Sequence, residues 1–423
     1  MFGERGLRIL AQVFIGLWVA RYLGLEQFGL YSYVLVFFAV LGRIVKLGLD
    51  GIVVRDMVLY PNRIRHYLGT AFWLKAAVAF LMVGIIAIVT VFIAKDKITS
   101  LYILVVSIGL VFQSSEVIDF YFQSQVAVRF ISLCKTFQLF ASSILKIYLI
   151  ISHKALFWFV LVILLDQITL AILMFLSYFY KKKPMFFCSF DIALAKGLLR
   201  DSWPLMLISL FIVIYMRIDQ VMIRWILGDG ELGVYSSAVR LSEASYFIPM
   251  IITTSLFPAI LNAKKISQSL YYERLQNLYS LMIWAGIAIA ILITFLSDNI
   301  VVLAYGEQFQ RASNVLRIHV WASIFVFLGM ANSKWFISEN LQRYQAVNMI
   351  VGAIINIFLN LVLIRRYGII GAAIATLVSQ CFAGYLITYI FPTTRINFVL
   401  STKAFNIFTL ISRLGLNHGG DRV

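Results

Sequence analysis

The stretch with the most potential for chemistry is 215–249, where charged side chains interrupt two consecutive apolar segments. A charge at membrane depth costs several kcal/mol, so such residues are rare unless they face a polar cavity or one another. The charged residues are Arg217, Asp219, Arg224, Arg240 and Glu243. This many charges in two neighbouring segments indicate a function rather than chance.

These polar residues form two stripes. Arg217, Gln220 and Arg224 are spaced i, i+3 and i+7, which places them on one face of a helix. The same kind of spacing recurs in the next segment, at Ser236, Arg240 and Glu243. A tight turn, GDGE, joins the two segments, so the stripes predict one wall of a water-filled passage.

Arginine is the residue type that best suits a phosphate ligand, because its guanidinium is permanently charged and binds in a planar fork. Arg217 precedes the turn at Gly228 by roughly 15 Å of helix, which places it near the bilayer midplane. Its alternative role is to hold helices together through Asp166 or Glu243. The candidate substrate-binding residues are Arg21, Arg43, Arg55, Arg217, Arg224 and Arg240.

Carboxylates in the apolar segments are candidates for ion coupling or for structural pairing. Glu116 and Asp119 lie three residues apart, a proximity that favours proton binding by one of them. The alternative partners for carboxylates here are Lys135 and Lys146. The full set is Glu116, Asp119, Asp166, Asp219 and Glu243.

The remaining polar residues give no catalytic pattern. The four histidines and three cysteines are scattered and predict neither a metal site nor a disulfide framework. His319 is interpreted as a satisfied structural group, and Lys46 as either functional or reaching toward the headgroups. Nucleotide-binding and nucleophile-turn motifs are absent, so the sequence predicts a transporter without a cofactor rather than an enzyme.

Composition identifies the solvent as lipid. Of 423 residues, 62% are hydrophobic and 13% are charged, which exceeds what a soluble core of this size can bury. The net charge of +17 reflects basic loops that orient a membrane protein, so nucleic acid is not an expected partner. We expect an uncleaved first span, because Arg21 and Tyr22 stand where a signal-peptide cleavage site would need small residues.

The predicted fold is an all-α integral membrane protein with about twelve transmembrane helices. The spans are expected at about 6–23, 29–50, 69–94, 100–123, 130–152, 155–180, 203–227, 233–260, 276–297, 314–337, 344–364 and 369–391. The bias of Lys and Arg places both termini in the cytoplasm. The predicted divisions are an N-terminal six-helix bundle (1–180), a cytoplasmic linker (181–202), a C-terminal six-helix bundle (203–391) and a basic tail (392–423) with an interfacial helix.

An internal repeat supports two related halves. GLEQFGLYS (24–32) and GDGELGVYS (228–236) share aligned Gly, Tyr and Ser residues. Each joins the first span of a half to its second, which is typical of a parallel duplication.

Motifs along nearly the whole chain resemble those of bacterial oligosaccharide flippases of the O-antigen translocase type. These belong to the superfamily of multidrug, oligosaccharidyl-lipid and polysaccharide exporters. The motifs are ARYLGLEQFGLYSY (20–33), LGLDGIVVRD (47–56), VIDFYFQSQV (117–126), DSWPLM (201–206), YMRIDQVMI (215–223), LSEASYFIPM (241–250), SLFPAI (255–260) and YGIIGAAIAT (367–376). Arg21, Asp50, Arg55, Asp119, Arg217 and Asp219 fall inside them, whereas Arg43, Lys46 and Glu116 cannot be carried over.

The resemblance implies two pseudo-symmetric six-helix bundles in a V, as in multidrug exporters, and alternating access driven by a proton or sodium gradient. It also implies transport of undecaprenyl-pyrophosphate-linked repeat units from the cytoplasmic to the periplasmic leaflet of a bacterial inner membrane. Such cargo serves O-antigen, capsule or exopolysaccharide synthesis, with a polysaccharide polymerase and a chain-length regulator as partners. The alternative is a cation-coupled multidrug exporter of the same fold.

The resemblance has two departures. Family members usually have a longer segment before the first span, so a late or misassigned start at Met1 is expected. Arg365 and Arg366 stand where a proline often follows the LVLI stretch.

Overall fold

A computed structural model describes residues 2–93, 96–181 and 185–406, with side chains described from residue 14 onward. Over these residues the chain is almost entirely helical and contains no β-strand. The predicted all-α membrane class is confirmed, as expected for a chain whose backbone amides must be paired internally in lipid.

Fifteen α-helices make up the described residues. Helices of the N-terminal half are α1 (Phe2–Lys46), α2 (Asp50–Leu59), α3 (Ile64–Ile88), α4 (Lys97–Phe112), α5 (Val117–Ser124), α6 (Arg129–Ile151) and α7 (Leu156–Tyr180). They are followed by α8 (Ile192–Leu227), α9 (Asp229–Glu243), α10 (Phe247–Ile266), α11 (Gln268–Tyr305), α12 (Ala312–His319), α13 (Ala322–Ser338), α14 (Gln342–Gly384) and α15 (Arg395–Ala404).

Ten helical segments of the described chain are long and apolar enough to cross a membrane. Two of them, Phe14–Leu59 and Gln342–Tyr389, contain a glycine with non-helical backbone angles, at Gly24 and Gly368 respectively. Division at these glycines gives the twelve spans that the sequence predicts.

The first glycine has the same backbone conformation in both copies of the sequence repeat. Gly24 has φ 72° and ψ 179°, and Gly228 has φ 93° and ψ −179°. This combination of φ and ψ is accessible essentially only to glycine, because a Cβ would clash with the backbone. The shared conformation explains why both copies of the turn begin with glycine.

The described residues form two compact units, whose boundary lies between Arg217 and Ile218, inside α8. The first unit is Leu10–Arg217, and the second contains residues 2–9 and the described residues from Ile218 onward. The predicted division at 203 differs, because α8 begins at Ile192 and its first half packs with the first unit. Gly48 (φ 66°), between α1 and α2, lies so close to the backbone of α8 that a Cβ would meet Met206 N at 2.6 Å.

Within the predicted linker, residues 185–189 pack against the first unit. Phe186 is buried against Phe72 and Tyr178. Trp73 donates from Nε1 to the Phe187 carbonyl at 2.8 Å, and a Cβ on Gly69 would lie 2.3 Å from the Phe186 carbonyl. Phe186 and Phe187 are therefore anchored on α3.

In the second unit, α11 packs against α10, α12, α13 and α15. The α15 helix is fixed by Tyr279, which donates to Asn397 Oδ1 at 2.6 Å, and by Gln276, which donates to the Leu400 carbonyl at 3.1 Å. Ile396 and Val399 of α15 are exposed. Residues 407–423 of the predicted tail lie outside the described residues, and its interfacial position stays a prediction.

Candidate functional site

Three charged side chains from three helical segments meet in the first unit and are termed the lysine cluster. Lys75 of α3 donates to Glu116 Oε2 at 2.9 Å, and Lys46, the last residue of α1, lies 3.2 Å from Glu116 Oε1. The Lys75 side chain is fully buried, and its ammonium lies 5.3 Å from the centre of the Phe120 ring. One carboxylate therefore bridges two ammonium groups.

Glu116 reaches both lysines because the helix is interrupted between α4 and α5. A 3₁₀ turn, Gln113–Glu116, separates α4 from α5. Ser114 and Ser115 return hydrogen bonds from their hydroxyls to the Val111 and Phe112 carbonyls, at 2.6 and 2.7 Å. These side chains satisfy the backbone where the helix changes pitch, which apolar surroundings require.

The other predicted carboxylates of the first unit also have lysine partners. Lys135 donates to Asp119 Oδ2 at 2.7 Å. Asp166 accepts from the Ser142 hydroxyl at 2.9 Å, and Lys146 Nζ lies 3.7 Å from the same oxygen. The structural pairing that the sequence left open is thus present, whereas ion coupling by Glu116, Asp119 or Asp166 stays a prediction.

The second unit surrounds Asp219 with a different kind of donor. Asp219 is buried on α8, where Oδ2 accepts a short hydrogen bond from the Tyr235 hydroxyl and lies 3.4 Å from Thr376 Oγ1. Its Oδ1 accepts from the Gln220 backbone N–H at 2.7 Å. Hydroxyls from α9 and α14 therefore converge on one buried carboxyl group.

Polar side chains continue from Thr376 along α14. Ser379 donates to the Thr376 carbonyl at 3.0 Å, Asn356 donates to Ser379 Oγ at 3.0 Å, and Asn360 donates to Asn356 Oδ1 at 2.9 Å. We refer to Asp219, Tyr235, Thr376, Ser379, Asn356 and Asn360 as the Asp219 network. It joins parts of α14 on both sides of Gly368 to α8 and α9.

The two polar stripes predicted on α8 and α9 contact each other inside the protein. Ser236 donates to Gln220 Oε1 at 3.5 Å, and both side chains are buried. The middle of this stretch is therefore helix contact and not the wall of a passage. Arg217, Arg240 and Glu243 are half-buried.

Arg224 has a structural partner that the sequence analysis did not assign. Its Nε donates to Asp229 Oδ1 at 2.6 Å, and Nη2 lies 3.4 Å from Oδ2. Asp229 is the first residue of α9, where a negative charge also suits the helix dipole. This two-point contact fixes the junction of α8 and α9.

Among the candidate arginines of the first unit, Arg21 and Arg43 are exposed. Arg55 is also exposed and binds the neighbouring Asp56, with Nε 2.8 Å from Oδ1. Arg43 precedes Lys46 by one helical turn, so the two cations share a face of α1.

His319 and Arg317 have structural contacts in the second unit. The Nδ1 atom of His319 lies 3.0 Å from Ser242 Oγ, and the ring is buried. Arg317 donates to Ser297 Oγ at 2.7 Å and pairs with Asp298. The contact of His319 agrees with its structural interpretation.

Several residues of these clusters were not identified from sequence, and Lys75 and Thr376 show why. Lys75 is one charge in the otherwise apolar stretch 67–94, and this isolation was the available signal. Thr376 lies in a run of small residues that predicts only close helix packing. Its position 3.4 Å from an aspartate 157 residues earlier carries no local signal.

Comparisons with known proteins identify the family. Residues 7–264 match the family model described as polysaccharide biosynthesis protein, and residues 204–362 match the MatE model. A probable low-salt glycan biosynthesis flippase from Haloferax volcanii is 24% identical over 169 residues, which are 39% of this chain and 35% of that protein. The match thus spans about a third of the relative's length.

Solved structures share the fold. The lipid II flippase MurJ in an inward closed conformation has a TM-score of 0.74 at 15% identity, and the alignment covers 100% of this chain and 93% of that one. An inward-facing multidrug resistance transporter of the MATE family has a TM-score of 0.71 at 13% identity, with 94% and 96% covered. The TM-scores establish a common two-bundle helical fold. Identities this low do not identify the cargo.

Proposed function

Since the chain belongs to the polysaccharide biosynthesis protein family, we propose that it is a flippase for lipid-linked oligosaccharides and not an enzyme. The cargo is an undecaprenyl-pyrophosphate-linked repeat unit, moved from the cytoplasmic to the periplasmic leaflet of a bacterial inner membrane by alternating access. The observation that carries the proposal is the family match over residues 7–264, which covers the first unit. This unit also holds lysines within apolar helices, Lys46 and Lys75 among them. Arginine and lysine suit a pyrophosphate group.

The proposed driving force is a proton or sodium gradient that acts through Asp219. A buried carboxyl group that accepts from a hydroxyl can exchange its proton or bind a small cation, since a hydroxyl can donate or accept. O-antigen or capsule synthesis is the proposed pathway class, with a polymerase and a chain-length regulator as partners.

Reconstituted vesicles test the function. Purified protein is placed in liposomes that contain a fluorescent polyprenyl-pyrophosphate-linked oligosaccharide, and a membrane-impermeant quencher reports which leaflet carries the label. We expect protein-dependent transfer that an imposed ion gradient accelerates. Protein-free liposomes are the control, and transfer no faster than theirs contradicts the proposal.

A second candidate is a cation-coupled multidrug exporter, which the match of residues 204–362 to the MatE model favours. The same vesicles loaded with a cationic dye distinguish the two. Gradient-driven dye export without movement of the labelled oligosaccharide supports the exporter.

The proposed orientation places both termini in the cytoplasm. A reporter fused after Lys183 should have cytoplasmic activity, and one fused after Gly230 should have periplasmic activity. A periplasmic signal at Lys183 contradicts the twelve-span topology.

A further inference from the structure

The lysine cluster contains an excess positive charge deep in the first unit. Its members are two lysines and one glutamate, and the Lys75 side chain is fully buried. Because the Lys75 side chain is enclosed by protein, its charge must be balanced by neighbouring side chains.

The two lysines occupy different environments. The Lys75 side chain is 0% exposed, the Glu116 side chain 20% and the Lys46 side chain 29%. Lys75 therefore serves as the permanent counter-ion of Glu116 from the inside of the unit. Lys46 binds the opposite oxygen of the same carboxylate from the accessible side.

This arrangement leaves the charge of Lys46 available to an anion. Arg43 is exposed one helical turn before it on α1 and adds a second cation. The exposed carboxylate that follows, Asp50, lies beyond the non-helical Leu47 and Gly48, on α2. Asp119, three residues after Glu116, is already matched by Lys135 at 2.7 Å.

We propose that Lys46 binds the phosphate oxygens of the cargo and that Glu116 and Lys75 are the positioning residues that hold it in place. The inference rests on the proposed function and deepens it, because it assigns the first contact of the pyrophosphate group to the first unit. Glu116 is then a fixed counter-ion and not the proton-binding carboxylate. Lys75 acts on the cargo without touching it.

Pyrophosphate binding to the purified protein in detergent, measured by titration calorimetry, tests this chain of contacts. Lys46→Met removes the ligand group, and we expect an affinity about tenfold lower, as for loss of a charged hydrogen bond. Lys75→Met is expected to weaken binding by a similar factor, because Glu116 then neutralises Lys46. The double variant Lys75→Met/Glu116→Gln leaves the Lys46 charge unmatched again and should recover most of the affinity.

Lys334→Met is the matched control. Lys334 is a half-buried lysine of the second unit that lies over the Phe257 ring at 5.3 Å, and its removal should leave binding unchanged. Wild-type affinity in Lys46→Met overturns the proposal. A double variant that binds as weakly as Lys75→Met also overturns it, since Lys75 would then serve packing alone.

The outcome is separable from that of the proposed function. Transfer of the labelled oligosaccharide in vesicles decides whether the protein is a flippase, and it requires no affinity for free pyrophosphate. A wild-type protein that transfers this cargo but binds no pyrophosphate overturns the role of Lys46 and leaves the flippase standing.

Discussion

Three carboxylates of the first unit, Glu116, Asp119 and Asp166, differ from Asp219 of the second in the donors that the structure describes around them. In the first unit Glu116, Asp119 and Asp166 each have a lysine ammonium within 3.7 Å. In the second unit Asp219 accepts from the hydroxyl of Tyr235 and lies 3.4 Å from that of Thr376. An ammonium can only donate and holds a carboxylate in its charged form, whereas a hydroxyl serves either protonation state. We therefore propose that the lysine-paired carboxylates keep their charge and that Asp219 exchanges its own.

The largest effect is expected at Asp219. Asp219→Asn keeps an oxygen that accepts from Tyr235 but cannot change charge, so we expect all stimulation by an ion gradient to disappear. The measurement is transfer of labelled oligosaccharide in vesicles with and without an imposed gradient. Membrane abundance is the control, because the amide retains the hydrogen bond and the variant should accumulate normally. Undiminished gradient stimulation would remove Asp219 from coupling.

Removal of the lysine from a lysine-paired carboxylate should lower the stability of the protein and leave gradient stimulation in place. Lys146→Met leaves Asp166, whose side chain is 18% exposed, with the Ser142 hydroxyl as its described donor. Loss of one member of a buried pair costs about 2 kcal/mol here, which lowers the thermal midpoint in detergent by about 4 °C. Gradient dependence should persist in vesicles.

The double variant Asp166→Asn/Lys146→Met removes both charges and keeps an acceptor for Ser142. We expect it to recover most of the decrease in the thermal midpoint, because the cost of a broken ion pair comes mainly from the charge left without its partner. A double variant less stable than the single one contradicts this account.

The contrast between the units was only partly predictable from sequence. Hydropathy gives the spans, and the glycine that begins each repeat copy predicts the turns, because both signals are local. The pairing of Lys75 with Glu116 and of Asp219 with Thr376 joins residues 41 and 157 positions apart. Such contacts depend on how helices pack and rotate, which one sequence does not specify. The sequence therefore identified the carboxylates and missed what distinguishes them.

A smaller effect is expected from the second hydroxyl near Asp219. Thr376→Val preserves the shape and removes a single neutral hydrogen bond, which corresponds to about a threefold loss of gradient-driven rate. Thr254→Val is the matched control, since its exposed hydroxyl donates to the Met250 carbonyl of its own helix at 2.7 Å. Equal rates for both variants would limit the functional contact of Asp219 to Tyr235.

The smallest effect is expected at Arg224. Its replacement tests whether the role of a charged side chain follows from its ion-pair partner or from the unit in which it lies. Arg224 lies in the second unit but has the first unit's kind of contact, a direct ion pair with Asp229 at 2.6 Å. If a direct ion pair marks a structural charge wherever it lies, then Arg224→Gln/Asp229→Asn removes two balanced charges. Its transport rate should stay within about twofold of wild type, because partly exposed pairs contribute little. A substrate-binding Arg224, as the sequence predicts, would instead lose most activity when its guanidinium is replaced. Vesicle transfer of the double variant beside Asp229→Asn alone separates these views. A large loss of transfer that appears only when the arginine is also replaced, at normal membrane abundance, supports a cargo contact.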